Sequence, residues 1–159
     1  MAEHPIAEQI IAFLNNRWSE SFEHEQVRTS EDAAKIRDGY TLQQGAKAII
    51  VRAKTSEGKK FAMLVMPADR RFDSAKAKTV LASKDLRFAT EEEVEQVTGG
   101  IKPGGVPPFG NLFNLEVFAD PTLFHNEKIV FNAGRTTSIA MLSSDYRELV
   151  RPVVKDIVT

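Results

Sequence analysis

The sequence predicts an α+β fold: a single domain over residues 1–159, with a mixed and largely antiparallel sheet and flanking helices. Three observations carry this. Segments of helical spacing alternate with short β-rich runs rather than standing apart from them. Residues 46–53 (AKAIIVRA) and 60–66 (KFAMLVM) read as a hairpin turning at Glu57-Gly58, which requires an antiparallel pair. The chain is 42% hydrophobic and 27% charged over 159 residues, a globular profile with enough length for a core that needs no cross-links.

The elements follow in order. Residues 5–18 place Ile6, Ile10, Ile11, Phe13 and Leu14 at helical spacing, giving an amphipathic first helix. Residues 21–28 form a short strand. Thr29-Ser30-Glu31-Asp32 has a hydroxyl cap and early acids, so a second helix starts there and ends at Gly39. The 46–66 hairpin comes next, then a helix over 73–81 and another opened by Thr90 and three glutamates, running to Thr98. Residues 112–118 and 128–131 read as strands with Asp120-Pro121-Thr122 turning between them, and 138–142 as a further strand. Ser143-Ser144-Asp145 caps a last helix to Val150, and 153–158 make a tail element.

Composition excludes several functions. There is no cysteine, which removes disulfides, thiolate metal sites and a cysteine nucleophile. His4, His24 and His125 show no ligand spacing and read as surface or hydrogen-bonded residues, so neither a metal nor a cofactor is expected. No Gly-x-Ser-x-Gly elbow, Walker loop or dinucleotide fingerprint is present. No apolar run approaches the roughly 18 residues of a membrane span, and no secretory signal is read at the N-terminus; the cytoplasm is the expected compartment and no membrane partner is expected.

Charge is unevenly spread. Residues 47–87 hold eleven Lys/Arg against four Asp/Glu, while both flanking regions are acidic and the whole chain sums to −1. This segment is either the footprint of a polyanion or a solvated hairpin and helix.

Three places invite chemistry. Residues 99–110 (GGIKPGGVPPFG) hold five glycines and three prolines in twelve residues. A connector needs one or two; this density suits a shaped backbone whose N–H groups bind an anion or a polarised carbonyl, though a Gly/Pro-rich surface loop has the same composition. Lys47 heads an apolar strand, where it either snorkels to the sheet edge or binds a phosphate or substrate carbonyl. Residues 131–139 (FNAGRTTSI) form either a pocket wall of small and hydroxyl residues or a plain hairpin turn.

Four collinear segments carry a resemblance to a known family: residues 23–34 (EHEQVRTSEDAA), 45–51 (GAKAIIV), 104–110 (GGVPPFG) and 131–139. Over roughly residues 5–155 the chain resembles the YbaK-like aminoacyl-tRNA deacylases, which share a fold with the editing insertion of bacterial prolyl-tRNA synthetase. The resemblance implies a trans-editing enzyme that hydrolyses the ester of a mischarged tRNA carrying a small amino acid (Ala, Ser or Thr, with Cys as a further option). It implies a functional role for Lys47, which matches the family's strand lysine, and for Gly104 and Gly105 in the Gly-x-x-x-Pro loop. Substrate-binding roles are implied for Thr29 and Ser30 near the acceptor end, for Val106, Pro108, Phe109 and Gly110 in the loop, and for Gly134 and Ser138 lining the pocket. The partners implied are the acceptor end of tRNA and an aminoacyl-tRNA synthetase. Two departures stand out: Ala48 where some relatives have asparagine, and Pro107-Pro108-Phe109 where others have Ser-Pro-Leu or Ser-Pro-Ile. Ester hydrolysis by a stiff backbone loop needs no protein nucleophile, in keeping with a chain that offers no triad. The alternatives are a tRNA- or synthetase-binding module without catalysis, and a hydrolase of other small esters or amides.

Overall fold

Alternation along two long strands sets the architecture. In β2 (Ala46–Thr55) and β3 (Gly58–Pro67), side chains of one parity (Ala46, Ile50, Met63, Val65) enter one apolar cluster, and those of the other (Val51, Ala53, Ala62, Leu64, Met66) enter a second. A sheet buried on both faces needs cover on both. The computed structural model describes residues 5–26 and 39–159.

The hairpin pairs antiparallel from Ala46 opposite Pro67 to Thr55 opposite Gly58, so its two-residue turn is Ser56-Glu57, one residue earlier than the sequence suggests. β4 (Asp85–Phe88) joins the outer side of β2 antiparallel; β5 (Glu116–Ala119) runs parallel to β3, and β8 (Val153–Val154) parallel to β5. The order is β4-β2-β3-β5-β8, a mixed sheet as expected. A three-stranded antiparallel sheet, β1-β7-β6, combines β1 (Ser19–Glu23), β6 (Lys128–Asn132) and β7 (Thr137–Leu142). The two sheets meet where Gly45 bridges Val130, whose N–H donates to the Gln44 carbonyl at 2.9 Å.

The larger cluster lies between these sheets. Helix α1 (Ile6–Leu14) closes it with Ile6, Ile10 and Leu14, one per turn, and α4 (Ser143–Val150) adds Tyr146 and Val150. Helix α2 (Ser74–Leu81) covers the opposite face with Ala77 and Leu81, its first turn capped by the Asp73 carboxylate, which accepts from the Lys76 N–H at 3.0 Å.

Five local expectations are corrected. The first strand is Ser19–Glu23 rather than residues 21–28: its ladder ends where its partner β7 begins, at Thr137, and residues 24–26 leave the sheet, residues 27–28 lying outside the described ones. Helix α1 stops at Leu14 rather than running to residue 18, because Asn15 turns to positive φ; Trp18 instead lies beneath the Lys128 ammonium, 4.7 Å from the ring centroid. Residues 112–118 are not one strand: Gly110–Phe113 wind into a 3-10 helix closed by Asn114 at φ +58. Residues 120–122 open a second 3-10 helix, Pro121–His125. Its cap, Asp120, is 1% exposed and accepts from the N–H groups of Thr122 and Ile157, tying the C-terminal tail to β5. β4, too short and exposed to show a period, has no counterpart in the sequence reading. The helix expected over residues 29–39 falls, Gly39 apart, outside the described residues, as do Thr29 and Ser30.

Candidate active site

The glycine-rich loop is held at both ends. Helix α3 (Glu91–Thr98) begins with a capping box in which Thr90 and Glu93 satisfy each other's backbone N–H groups, and it ends at left-handed Gly99. The buried Thr98 hydroxyl donates to the Val94 carbonyl at 2.7 Å and accepts from the Ile101 N–H at 3.0 Å, so the first residues of the loop are pinned to the helix. Lys102 pairs with Glu95, and that hydrogen bond raises the pKa of the ammonium. At the far end the loop dives into the core. Phe109 is fully buried, its ring 5.4 Å from Phe131, 5.5 Å from Tyr146 and 6.0 Å from Phe13. The buried Tyr146 hydroxyl donates to the Pro108 carbonyl at 2.6 Å, and burial pushes its pKa well above the usual phenol range.

Between these anchors the loop meets the turn between β6 and β7. Gly134 N–H donates to the Gly105 carbonyl at 2.7 Å. A Cβ on Gly105 would stand 2.8 Å from the Gly134 carbonyl carbon and 3.0 Å from the Arg135 nitrogen, so the close approach of the two backbones requires glycine there. Gly104 sits at φ +90 and is exposed. Its carbonyl accepts from Asn132 Nδ2 at 2.7 Å, the Ser138 hydroxyl reaches Asn132 Oδ1 at 3.3 Å, and His24 Nε2 lies 2.8 Å from Ser138 Oγ. His24 Nδ1 donates to the Glu25 carbonyl at 2.7 Å. A polar chain thus runs from β1 through β7 and β6 to the exposed bend of the loop.

Above the loop a cavity of about 180 Å³ opens against β2. Ala48, Ile49 and Ile50 form one wall, Phe88, Ala89 and Val94 a second, and Pro103, Gly104 and Val106 the third. Its lining is apolar apart from main chain, and its volume suits a small side chain. Lys47, beside Ala48, has the other parity: it pairs with Met66 on the second face of the sheet, and its ammonium donates to the Arg70 carbonyl at 2.8 Å.

A model of the aminoacyl-tRNA editing domain matches residues 24–149. The chain belongs to that family. It is an aminoacyl-tRNA deacylase, a hydrolase whose substrate is mischarged tRNA. Among relatives, this editing domain is 29% identical over 157 residues to the multifunctional Ser/Thr-tRNA deacylase ProXp-y of Escherichia coli K12, covering 96% of this chain and 93% of that protein. It is 30% identical over 119 residues to the proline–tRNA ligase of Cupriavidus necator, covering 75% of this chain and 21% of the ligase. Its fold matches the crystal structure of hypothetical protein APE2540 (TM-score 0.82, 23% identity, 98% of this chain and 100% of the other). It equally matches that of a candidate trans-editing enzyme for prolyl tRNA synthetase (TM-score 0.81, 24% identity, 99% of both).

The structure of the editing domain brings Gly104, Gly105, Gly134 and Ser138 into one hydrogen-bonded assembly and sets Val106 on the cavity wall. Phe109 and Gly110 are buried away from it, and Lys47 extends from the reverse face of β2. Asn132 and His24 are the members that sequence reading passes over. Asn132 lies inside a quoted segment without any chemical signature, and His24 has no partner at ligand spacing. Among the described residues no helix is long and apolar enough to cross a membrane.

Proposed function

We propose that this editing domain hydrolyses tRNA mischarged with a small hydroxyl amino acid, serine or threonine, with alanine and cysteine as weaker substrates. The observation that carries the reading is the cavity of about 180 Å³ at Ala48, which has room for an aminoacyl group and is bordered by the loop that contributes the chemistry. The name of the Escherichia coli relative, a Ser/Thr-tRNA deacylase, supports the same choice.

In this reading the aminoacyl group enters beside Ala48 and Val106, and water attacks the ester carbonyl carbon. The oxyanion develops against the exposed backbone of the loop's bend at Gly104, which Gly105 shapes while its own N–H is held by the Lys102 carbonyl at 3.0 Å; the ribose oxygen departs with the proton the water gives up, leaving free amino acid and uncharged tRNA. Orientation of that backbone is the work of Asn132, Ser138 and Gly134. Pro108, Phe109 and Gly110 act from the core by fixing the loop's exit. Lys47, next to the start of β2 and on its reverse face, contacts the tRNA outside the cavity, its ammonium steadied by the Arg70 carbonyl; Thr29 and Ser30 serve the acceptor end. The likeness to a segment of proline–tRNA ligases supports a synthetase as second partner.

Deacylation of Ser-, Thr-, Ala- and Cys-charged tRNAs by wild type and Lys47→Ala tests this. Selective release from the Ser and Thr substrates, with a loss of about 100-fold or more in the variant, is the expected result. Tight tRNA binding with no hydrolysis of any member would establish instead a binding module without catalysis.

A further inference from the structure

We infer that a basic groove on β2, β3 and β4 receives the phosphate backbone of the tRNA acceptor stem. The groove, about 430 Å³, is lined by Arg52, Lys54, Lys59 and Arg87 with a single carboxylate, Asp85. Its cations are arranged against intramolecular stability. Lys54 stands directly opposite Lys59 on β3 and Arg52 directly opposite Arg87 on β4, where Asp85 opposite Lys54 is the one opposing carboxylate. Like charges in such pairs repel across roughly 5 Å. Arg87 is engaged by Glu93, at 2.8 and 3.0 Å. Arg52, Lys54 and Lys59 have no ion-pair partner within 4.0 Å among the described residues, although Lys60 next door pairs with Glu116. Three cations held side by side, with Asp85 across from Lys54 as the one carboxylate and not paired with it, leave net positive charge for an external anion.

Position identifies the anion. Residues opposite one another in an antiparallel pair share a face. Arg52 and Lys54 have the parity of Ala48 and Ile50, so the groove continues from the cavity along the same face of β2. From Ala48 to Lys54 is about 20 Å along the strand. A ligand with its reacting end at Ala48 and phosphates about 20 Å behind matches both sites at once, and a nucleic acid strand esterified at its end is such a ligand. The groove also gathers four of the eleven cations of the basic segment, residues 47–87, none of which lines the cavity.

The inference rests on tRNA being the substrate, and the test separates the two. Lys54→Gln/Lys59→Gln is made in the full chain. Binding of uncharged tRNA is followed by fluorescence anisotropy across a salt series, and hydrolysis is compared between seryl-tRNA and the seryl ester of adenosine, which has no stem. Affinity for tRNA is expected to fall about tenfold, and the plot of log K against log salt to become shallower by about 2. The ratio of kcat/KM on seryl-tRNA to that on the short ester should fall by about the same tenfold, with Tm held or raised as the Lys54–Lys59 repulsion goes. An unchanged salt slope and an unchanged ratio overturn the groove. A wild-type chain that hydrolyses neither substrate removes the Ser reading of the cavity, while the binding series still decides the groove.

Discussion

The site turns on single residues whose roles separate by experiment. Gly105 is the tightest constraint: its missing side chain lets the loop touch the β6–β7 turn, and Ala there would place a carbon 2.8 Å from the Gly134 carbonyl carbon. Backbone must shift to admit it, at a cost of about 1–3 kcal/mol. Gly105→Ala should therefore lower Tm and reduce kcat by tenfold or more, with KM affected less, because displaced N–H groups miss the transition state while the cavity still takes the substrate. Steady-state kinetics beside a thermal melt check this; an unchanged kcat would remove this backbone from catalysis. Asn132→Ala deletes the donor to the Gly104 carbonyl at 2.7 Å without adding bulk. A stability loss of about 1 kcal/mol is expected, with a fall in kcat smaller than that of Gly105→Ala, since the exposed carbonyl can turn to water.

Elements present these residues, and α3 shows how. Its first turn rests on Thr90 and Glu93, and Glu93 also grips Arg87 on β4. The Arg87 hydrogen bonds and the Thr90 N–H hold the Glu93 carboxyl down at about 2, from an ordinary 4.5. A depressed carboxyl stabilises the fold fully above its unfolded pKa and loses that contribution as pH falls through the folded value. Wild type should lose stability between about pH 4.5 and 2 by this route, and Glu93→Gln should lower Tm at neutral pH and flatten that acid limb; Tm measured from pH 2 to 7 gives the comparison. A parallel acid limb in the variant would deny the pair any role. The capping box was legible in the sequence because Thr-x-x-Glu before a periodic run has one local meaning. So were α1 up to Leu14, α2, α4, the hairpin and β6 and β7 of the small sheet, whose periods are local; β1 was placed late, at residues 21–28, because its end is set by where β7 begins. β4 was not, because four exposed residues at a sheet edge carry no period of their own and pair only because β2 is there. Residues 110–125 misled for a related reason: their apolar run is buried, but Asn114 and the Asp120 cap wind it into two 3-10 helices, and both depend on partners far along the chain.

At the scale of the molecule, the loop that borders the site is held because the small sheet and two helices converge on one aromatic residue. Lys47 and the glycine loop are conspicuous as sequence, whereas the 180 Å³ cavity between the loop and β2 is a product of assembly: Ala48, Val94 and Val106 are ordinary apolar letters until β2, α3 and the loop meet. Phe109 anchors the loop's end of that meeting in the core, in ring contact with Phe13 of α1, Phe131 of β6 and Tyr146 of α4. We propose that residues 1–159 consequently unfold as a single cooperative domain, and Phe109 is the place to test it. Phe109→Ala should cost about 3–5 kcal/mol, a large part of a typical stability of about 5–15 kcal/mol. For a chain of this length Tm should drop by about 6–20 °C. The lone tryptophan, Trp18, lies at the start of β1 under Lys128, so its fluorescence reports the small sheet, while far-ultraviolet circular dichroism reports both sheets and the helices. Cooperative coupling through Phe109 requires the two signals to fall together in wild type and again, at lower temperature, in Phe109→Ala. Tryptophan fluorescence that melts apart from the dichroism in wild type would mean that the small sheet is a separate unit, and the cavity a junction between units rather than part of one core.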